Sequence, residues 1–321
     1  MKKLIGNTPL IKICYQYKNE IKNIYTKLEY YNLTGSIKDR MVEYIISKAK
    51  EKGLLKDNMP IIEATSGNTG ISLAAIGSYY KHPVYIFMPN WVSMERVKIM
   101  ESFGAKVFLV SKEEGGFIEC IKRAKKLAND INGFLTNQFA NKDNIDAHYQ
   151  TTALEIINGM QGKSYGGFIS GIGTGGTLMG VGKRLKEFDE RIIITALEPD
   201  KLPILSKGIN FGSHKIEGIG DDFVPDLVDF NLIDDIILIN DDDAINMARK
   251  LAKELGLGVG ISSGANMLGA IILQEKINKE VVTIFPDDNK KYLSTDLLKA
   301  IDLNPNFLSN QIKLLNYVVI K

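Results

Sequence analysis

The sequence has 321 residues, of which 45% are hydrophobic and 24% are charged, and its formal net charge is +2. A chain of this length can bury two sizeable cores, and its composition is typical of a soluble globular protein rather than a disordered or fibrous one. Because the 40 basic and 38 acidic residues are interspersed, no basic patch for nucleic acid or an anionic membrane is predicted, and we expect a small-molecule substrate.

The cysteines, histidines and apolar runs of the sequence argue against a disulfide-rich secreted protein, a membrane-spanning protein and a metalloprotein. Cys14 and Cys120 are too few for a disulfide framework, and the first residues lack the pattern of a secretory signal, so we expect a cytoplasmic protein. No apolar run reaches the roughly 20 residues that are needed to span a bilayer. The three histidines lie far apart without the spacing of metal ligands, so no metal site is predicted.

The first prominent stretch runs from Asn32 to Arg40. It follows a β-rich segment, Ile24 to Tyr30, and opens a predicted helix in which hydrophobic residues recur at helical spacing. Lys38 therefore lies in the first turn of a helix, where the helix dipole disfavours a protonated amine, so we expect a lowered pKa and a nucleophilic amine. Taken alone, the same residues favour the simpler interpretation that they begin a charged surface helix.

Strands and helices then alternate along the chain. The predicted strands span 59–65, 83–88, 106–110, 166–170, 191–197, 235–239 and 281–285. Helices are predicted at 71–80, from 93 to just before 104, and at 116–131, 177–188, 242–255 and 263–275. This alternation predicts an α/β fold with two doubly wound, mostly parallel sheets and a cleft between them. The segment 212–225 lacks clear periodicity, as functional loops often do.

Three loops rich in glycine or hydroxyl residues each follow a predicted strand and open a helix, which is where α/β sheets bind anions and cofactors. Backbone N–H groups of the glycine-dense loop from Gly171 to Thr177 can converge on a phosphate. The loop from Thr65 to Gly70 offers hydroxyl and amide groups suited to a carboxylate, more than a helix N-cap requires. The third loop supplies Ser262 and Ser263, either of which could instead cap the next helix.

The glycine-dense loop also satisfies a dinucleotide fingerprint through Gly171, Gly173 and Gly176, and the following strand ends in Glu198, where a carboxylate could bind a ribose hydroxyl. This pattern favours an NAD(P)-dependent dehydrogenase as an alternative of a different class. That alternative gives Lys38 no role. A phosphorylated aldehyde cofactor held as a Schiff base would use an amine, a phosphate site and a carboxylate site together.

In combination, these motifs resemble the cysteine synthase and cystathionine β-synthase family of fold-type II pyridoxal-phosphate enzymes. The resemblance runs from Ile5 to Thr295 and rests on the motifs at 35–40, 65–70, 138–139, 173–177, 218–220 and 260–264. It implies pyridoxal 5'-phosphate as the cofactor and a homodimer that acts on a small amino acid. It also implies a smaller, mobile domain at 36–145 with the carboxylate loop, and a larger domain at 1–35 and 146–321 with the phosphate loop.

The resemblance implies roles for individual residues. Lys38 would hold the cofactor and move the substrate's α-proton, Asn68 would bind the ring oxygen, and Ser262 would meet the pyridine nitrogen. The residues implied for the phosphate are Gly173, Thr174, Gly175, Gly176 and Thr177. Those implied for the substrate are Thr65, Ser66, Thr69, Gln138 and Gly218. A serine does not force the ring nitrogen to be protonated, which favours β-elimination over transamination.

The chain departs from the usual family pattern at several positions. Leu33-Thr34 stands where many members have Pro-Gly or Ala-Gly, which predicts a different shape of the substrate pocket. Asp221 follows a Gly-Ile-Gly step after which cysteine synthases usually have a small residue and cystathionine β-synthases a tyrosine. Pro286-Asp287-Asp288 is another candidate for the cleft, without an assigned role.

If Asp221 faces the cleft, its carboxylate would repel hydrosulfide but could take a proton from water or a neutral thiol. We therefore predict L-cysteine as the donor, release of hydrogen sulfide, and addition of water or a thiol to the aminoacrylate. Alternatives stay open. Asp221 could face solvent, and the chain could be an ordinary cysteine synthase using O-acetylserine and sulfide, a serine-using enzyme like cystathionine β-synthase, or a non-catalytic relative.

Overall fold

The structure is a computed structural model that describes residues 1–299 and 304–320. Its strands are β1 (Leu10–Tyr17), β2 (Glu20–Leu28), β3 (Ile61–Ala64), β4 (Val84–Pro89), β5 (Lys106–Val110), β6 (Phe134–Leu135), β7 (Gly167–Gly171), β8 (Ile193–Pro199), β9 (Asp235–Ile239), β10 (Val281–Phe285) and β11 (Lys313–Ile320). Its α-helices are α1 (Lys38–Glu51), α2 (Asn68–Tyr79), α3 (Met94–Ser102), α4 (Gly116–Asp130), α5 (Asp143–Ala147), α6 (Ala153–Gly159), α7 (Gly176–Phe188), α8 (Ile204–Lys207), α9 (Asp241–Leu255), α10 (Ile261–Ile277) and α11 (Leu308–Gln311).

The strands form two sheets within these described ranges. One sheet has the order β11-β1-β2-β10-β7-β8-β9, and the other has the order β5-β4-β3-β6. Every pair in the second sheet is parallel, as are the pairs from β2 to β9 in the first. β1 is antiparallel to both β2 and β11. The predicted α/β fold with two mostly parallel sheets is confirmed.

Helices cover both faces of the smaller sheet. Successive side chains of a strand point to opposite faces, and accordingly Ile61 packs in the core beneath α1 and α2, whereas Ile62 packs in the core beneath α4. All four residues of β3 are buried, as expected for a strand between two helical layers. The same alternation recurs in the larger sheet, where Ile169 packs towards α9 and α10 and Phe168 towards α6 and α7.

This topology positions the predicted loops. β3 leads into α2 and β7 leads into α7, and ligands of parallel sheets bind at the carboxyl ends of strands. Residues 36–145 contain the whole smaller sheet, while the domain boundaries and the mobility of the smaller domain stay predictions. Among the described residues, no helix is both long and apolar enough to cross a bilayer.

Several elements were not expected from the sequence. β1 and β11 pair with each other at one edge of the larger sheet although they lie near opposite ends of the chain, and pairing of this kind leaves no local signal. α5, a π-helical turn at His148–Thr152, and α6 form a helical stretch that follows β6. The other predicted strands and helices occur within about three residues of their expected bounds, the usual scatter at element ends.

Candidate active site

A pocket between the two sheets brings together residues from α1 and from all three predicted loops. Lys38, the first residue of α1, lines it. Asp221 lines it from the larger sheet's side. The other predicted site residues that line it are Thr65, Ser66, Asn68, Thr69, Gln138, Gly173, Thr174, Gly175, Thr177, Gly218 and Ser262. Gly176 is the one predicted site residue outside this lining; it begins α7 directly behind the loop.

The pKa of Lys38 is lowered, as expected, but for a different physical reason. Burial lowers the pKa of Lys38 to about 8, while the carboxylates of Asp221 and Asp287 oppose that shift by favouring the ammonium form. The direction agrees with the expectation, but burial rather than the helix dipole is the main cause. A lysine with a pKa near 8 gives up its proton far more readily near neutral pH than a solvated one.

The loop before α7 has the geometry of an anion site. Gly175 adopts a left-handed conformation (φ 85°), and α7 begins without a side-chain cap, so its first N–H groups point into the loop. A Cβ on Gly173 would lie 2.3 Å from the Gly218 carbonyl oxygen, so a larger residue would displace the chain there. Thr177 Oγ1 lies 3.3 Å from Nε2 of His148, whose pKa burial lowers to about 3, so this imidazole is neutral.

Side chains around the loop at 65–70 are held by hydrogen bonds. Thr69 Oγ1 donates to Gln138 Oε1 (2.6 Å), and Gln138 Nε2 donates to the Ala64 carbonyl oxygen (2.8 Å). Asn68 Nδ2 donates to Asp287 Oδ2 (2.8 Å), whereas Asn68 Oδ1 is buried and has no hydrogen-bond partner among the described residues. Buried polar atoms are nearly always paired, so this amide is placed to interact with a bound group.

These observations test whether the pocket fits pyridoxal phosphate. The uncapped start of α7 suits a phosphate, Lys38 suits an aldehyde, and the unpaired amide oxygen of Asn68 suits a polar ring substituent. Ser262, which is 4% exposed, offers a neutral hydroxyl from the first turn of α10. The residues present therefore fit this cofactor.

Asp221 lies in a loop of the larger sheet's side that two glycines shape. Gly218 and Gly220 on either side of Ile219 have φ of 90° and 70°, conformations that glycine adopts without strain. Burial raises the pKa of Asp221 to about 6; Asp222 adds to this rise, and Lys38 opposes it. A carboxylate with a pKa near 6 is a stronger base than a solvated one and is still mostly ionised at pH 7.

The structure contradicts two expectations from the sequence, one about Leu33-Thr34 and one about Glu198. Thr34 donates through its hydroxyl to Asp39 Oδ1 (2.6 Å) and through its backbone N–H to Asp39 Oδ2 (2.7 Å), and neither Leu33 nor Thr34 lines the Lys38 pocket. The prediction that they shape this pocket is therefore wrong. Glu198 is 1% exposed and accepts hydrogen bonds from the α8 backbone, so its carboxylate is occupied rather than free for a ribose.

Sequence reasoning missed Arg96, which lines the pocket, and assigned no role to Asp287, which contacts the pocket residue Asn68. Arg96, on α3, is 2% exposed, lies over the Tyr292 ring at 4.8 Å, and forms an ion pair with Glu217. Arg96 also donates to the Ser66 carbonyl oxygen (3.3 Å). Asp287, noted without a role, is fully buried and accepts from Tyr292 Oη (2.6 Å) as well as from Asn68. The contacts of Arg96 with Glu217 and of Asn68 with Asp287 join distant segments, so no local pattern marks them.

Comparisons with known proteins agree with this geometry. The chain is 39% identical to cysteine synthase from Staphylococcus aureus over 301 residues, which cover 93% of this chain and 96% of that protein. It is 42% identical to cysteine synthase B from Campylobacter jejuni over 295 residues, covering 92% of this chain and 96% of that protein.

Among solved structures, the chain is similar to a hydrogen sulfide-producing enzyme from Fusobacterium nucleatum, with a TM-score of 0.96 and 49% identity over 99% of this chain and 98% of that one. An aspartate-to-asparagine variant of that enzyme was solved with an α-aminoacrylate intermediate. The sequence profile of the family described as pyridoxal-phosphate dependent enzyme matches residues 1–287. The chain therefore belongs to the pyridoxal-phosphate-dependent enzymes of fold type II that include the cysteine synthases.

Proposed function

We propose that the enzyme takes L-cysteine as donor, releases its sulfur as hydrogen sulfide, and adds water or a thiol at the β-carbon with Asp221 as the base. The observation that carries this proposal is the position of Asp221. It lines both the Lys38 pocket and a wider cavity of about 830 Å³ that adjoins it. A second reactant arriving through this cavity would meet the Asp221 carboxylate at the entrance to the pocket.

Bound pyridoxal phosphate supplies an electron-withdrawing ring that stabilises negative charge on the substrate's α-carbon. In this proposal Lys38 holds its aldehyde, Asn68 contacts the ring oxygen and Ser262 contacts the ring nitrogen. The phosphate is held by Gly173, Thr174, Gly175, Gly176 and Thr177. The substrate is held by Thr65, Ser66, Thr69, Gln138 and Gly218.

The two proton acceptors serve different halves of the reaction. Lys38 Nζ takes the α-proton, the bond between the β-carbon and sulfur breaks, and the electron pair leaves with hydrosulfide. A water oxygen then bonds to the β-carbon while its proton passes to Asp221, and Lys38 returns its proton to the α-carbon. The balance is cysteine and water giving serine and hydrogen sulfide, since hydrosulfide gains the proton that Asp221 accepts. A thiol in place of water gives a thioether.

The relatives support different finer activities. The Fusobacterium nucleatum enzyme is described as hydrogen sulfide-producing, which favours cysteine as donor here. Its aspartate-to-asparagine variant holds α-aminoacrylate, as expected where an aspartate acts after sulfur leaves. The Staphylococcus aureus and Campylobacter jejuni relatives are cysteine synthases, which keeps synthesis of cysteine from O-acetylserine and sulfide as the second candidate.

Product analysis separates these candidates. The holoenzyme is incubated with L-cysteine alone, with O-acetylserine and sulfide, and with serine and homocysteine, and amino acids and sulfide are quantified. Serine or lanthionine with sulfide in the first incubation supports the proposal. Turnover confined to the second identifies an ordinary cysteine synthase, and cystathionine from the third identifies an activity like that of cystathionine β-synthase.

We also propose that the enzyme is a homodimer and that the domain at 36–145 moves against the remainder. Family resemblance supports both, and the separate sheet within 36–145 supports the second. Light scattering coupled to size-exclusion chromatography gives the oligomeric state. Hydrogen exchange with and without L-cysteine reports the domain movement, which should slow exchange at the edge of the cleft.

A further inference from the structure

The segment from Glu217 to Phe223, here called the Asp221 segment, crosses the cleft. It follows β8 and α8 of the larger sheet, yet its two ends contact elements of the smaller sheet's domain. At the first end, the Glu217 carboxylate pairs with the guanidinium of Arg96 on α3. Arg96 is almost fully buried, so this ion pair is poorly screened by solvent and costly to break.

An aromatic cluster holds the other end. Phe223 meets Phe139 edge to face, with ring centroids 5.0 Å apart, and stacks near Phe117 at 6.4 Å. Phe117 and Phe139 are themselves 5.7 Å apart, edge to face. Phe117 lies on α4 and Phe139 follows β6, so both belong to the smaller sheet's domain. Each such ring pair stabilises its contact beyond simple burial.

The middle of the segment is held on the larger sheet's side by Ile219, which is buried in that sheet's core, and by two hydrogen bonds of Gly220. Gly220 donates its N–H to the Ile172 carbonyl oxygen (2.9 Å), and its own carbonyl oxygen accepts from His214 Nε2 (2.7 Å). Gly218 and Gly220 are both left-handed, and glycine rotates away from such a conformation more freely than other residues. The Asp221 carboxylate follows these anchors and has no hydrogen bond or ion pair of its own among the described residues, so the contacts at the ends of the segment help to hold it against the pocket.

We propose that the Arg96–Glu217 pair and the Phe117–Phe139–Phe223 cluster form a two-ended clamp that positions Asp221 in the pocket only while the two domains are in contact. Phe117 and Phe223 are positioning residues, since neither lines the Lys38 pocket. This inference rests on the proposed role of Asp221 in the second half of the reaction. Sulfide release, which depends on Lys38, does not require the clamp, whereas addition at the β-carbon does.

The test uses holoenzyme with Phe117→Leu, Phe223→Leu and both together, and Phe188→Leu as the matched control, because Phe188 is 61% exposed at the end of α7. Sulfide released from L-cysteine in the first turnover should stay within about twofold of wild type. Steady-state product formation should fall about fivefold to tenfold in the double variant, the size expected for losing one or two aromatic contacts. Glu217→Gln tests the other end independently should the double variant fail to fold.

Two readouts separate positioning from general damage. Hydrogen exchange measured by mass spectrometry should rise in the Asp221 segment of the clamp variants and not in Phe188→Leu. The acid limb of product formation should move to lower pH, because water reaching Asp221 returns its pKa towards the ordinary value. The charged groups that act on Asp221, namely Lys38 on α1 and Asp222 beside it, are retained in the phenylalanine variants, as is the Arg96–Glu217 pair.

Asp221→Asn in the same panel distinguishes the two possible failures. If Asp221→Asn loses product formation while the clamp variants match Phe188→Leu in exchange, pH profile and rate, the clamp is refuted and the proposed function stands. If Asp221→Asn keeps wild-type product formation, the proposed function is refuted, and the clamp's catalytic purpose with it.

Discussion

Lys38 and Asp221 line one pocket from different parts of the fold, and each stabilises the charged form of the other. Burial acts against both charges, lowering the pKa of Lys38 to about 8 and raising that of Asp221 to about 6. Both values approach neutral pH, where a group can both accept and return a proton. The environment thus adapts an amine and a carboxyl for two proton transfers at one site.

Replacing Asp221 by asparagine keeps its size and removes the base. We expect steady-state formation of serine or thioether from L-cysteine to fall by about two orders of magnitude, a typical contribution of general base catalysis. Sulfide released in the first turnover should change little, since Lys38 is intact. Rapid-quench assays give both quantities. Equal losses of sulfide release and product formation would contradict the division of roles.

A substitution at the exposed neighbour Asp222 changes the pKa of Asp221 while leaving the Asp221 carboxylate in place. Product formation should decline as pH falls through about 6, because Asp221 then gains a proton and can no longer accept one. Since Asp222 raises the pKa of Asp221, Asp222→Asn should shift this acid limb to lower pH and leave the plateau rate nearly unchanged. Rate–pH profiles of the wild-type enzyme and of Asp222→Asn measure this shift. If the acid limbs of the two profiles coincide, Asp221 is not the titrating group.

Uptake of the cofactor should report the pKa of Lys38. Only the neutral amine is nucleophilic, so the rate at which apoenzyme binds pyridoxal phosphate should rise with pH, with a midpoint near 8. Asp221 favours the ammonium form, so Asp221→Asn should lower the pKa of Lys38 and move the midpoint to lower pH. Absorbance during reconstitution measures this rate. A midpoint near that of a free lysine in both proteins would count against a buried amine.

The sequence predicts features that depend on residues close together in the chain, and it does not predict contacts between distant residues. The positions of Lys38 and of the loop at 173–177 in the fold can be predicted because strand, loop and helix follow one another within a few residues, and that order decides where the loop lies. Arg96 and Glu217 meet only after both domains have folded. The spacing of these two residues along the chain does not predict that they form an ion pair.

Thr34 illustrates a different limit. Its place beside the Lys38 motif suggests an effect on the shape of the substrate pocket, but the sequence does not show which partner its hydroxyl takes. Asp39, the second residue of α1, accepts hydrogen bonds from the Thr34 hydroxyl and backbone N–H, which hold the Thr34 side chain against α1. Local hydrogen bonds of threonine compete with any longer-range role, and only a structure shows which prevails.

The contact between Asn68 and Asp287 predicts a role for a buried carboxylate in cofactor binding. Asp287→Asn removes the charge that fixes the Asn68 amide at 2.8 Å. A hydrogen bond to a charged group contributes about 1.5–3 kcal/mol, so we expect the dissociation constant for pyridoxal phosphate to rise by roughly tenfold or more. Asp288→Asn is the matched control, because the neighbouring Asp288 carboxylate accepts from the Lys290 backbone N–H and pairs with Lys291 rather than with Asn68. Fluorescence titration of apoenzyme provides both constants; equal affinity in the two variants would argue against this role.

A buried ion cluster predicts how the fold responds to acid. Glu29 is fully buried and accepts hydrogen bonds from Arg40 Nε (2.6 Å) and Nη2 (2.9 Å), while Glu155 pairs with Arg40 and Lys27. Burial alone would raise the pKa of Glu29, but the Arg40 guanidinium outweighs it and holds that pKa at about 2, below the ordinary 4.5. The folded state therefore binds this proton more weakly than the unfolded state does.

The stability contributed by Glu29 is accordingly complete above about pH 4.5 and is lost as pH falls towards about 2. Glu29→Gln leaves two buried cations with one carboxylate, so we expect the free energy of unfolding at pH 7 to fall by about 3–5 kcal/mol. The difference from wild type should shrink below pH 4.5, since wild-type Glu29 then loses its advantage. Glu275→Gln, which disrupts ion pairs with Lys18 and Lys22 at the surface, should cost less than about 1 kcal/mol. Urea unfolding of holoenzyme between pH 3 and 7 measures these differences, and a Glu29→Gln deficit independent of pH would show that shape rather than charge matters at this position.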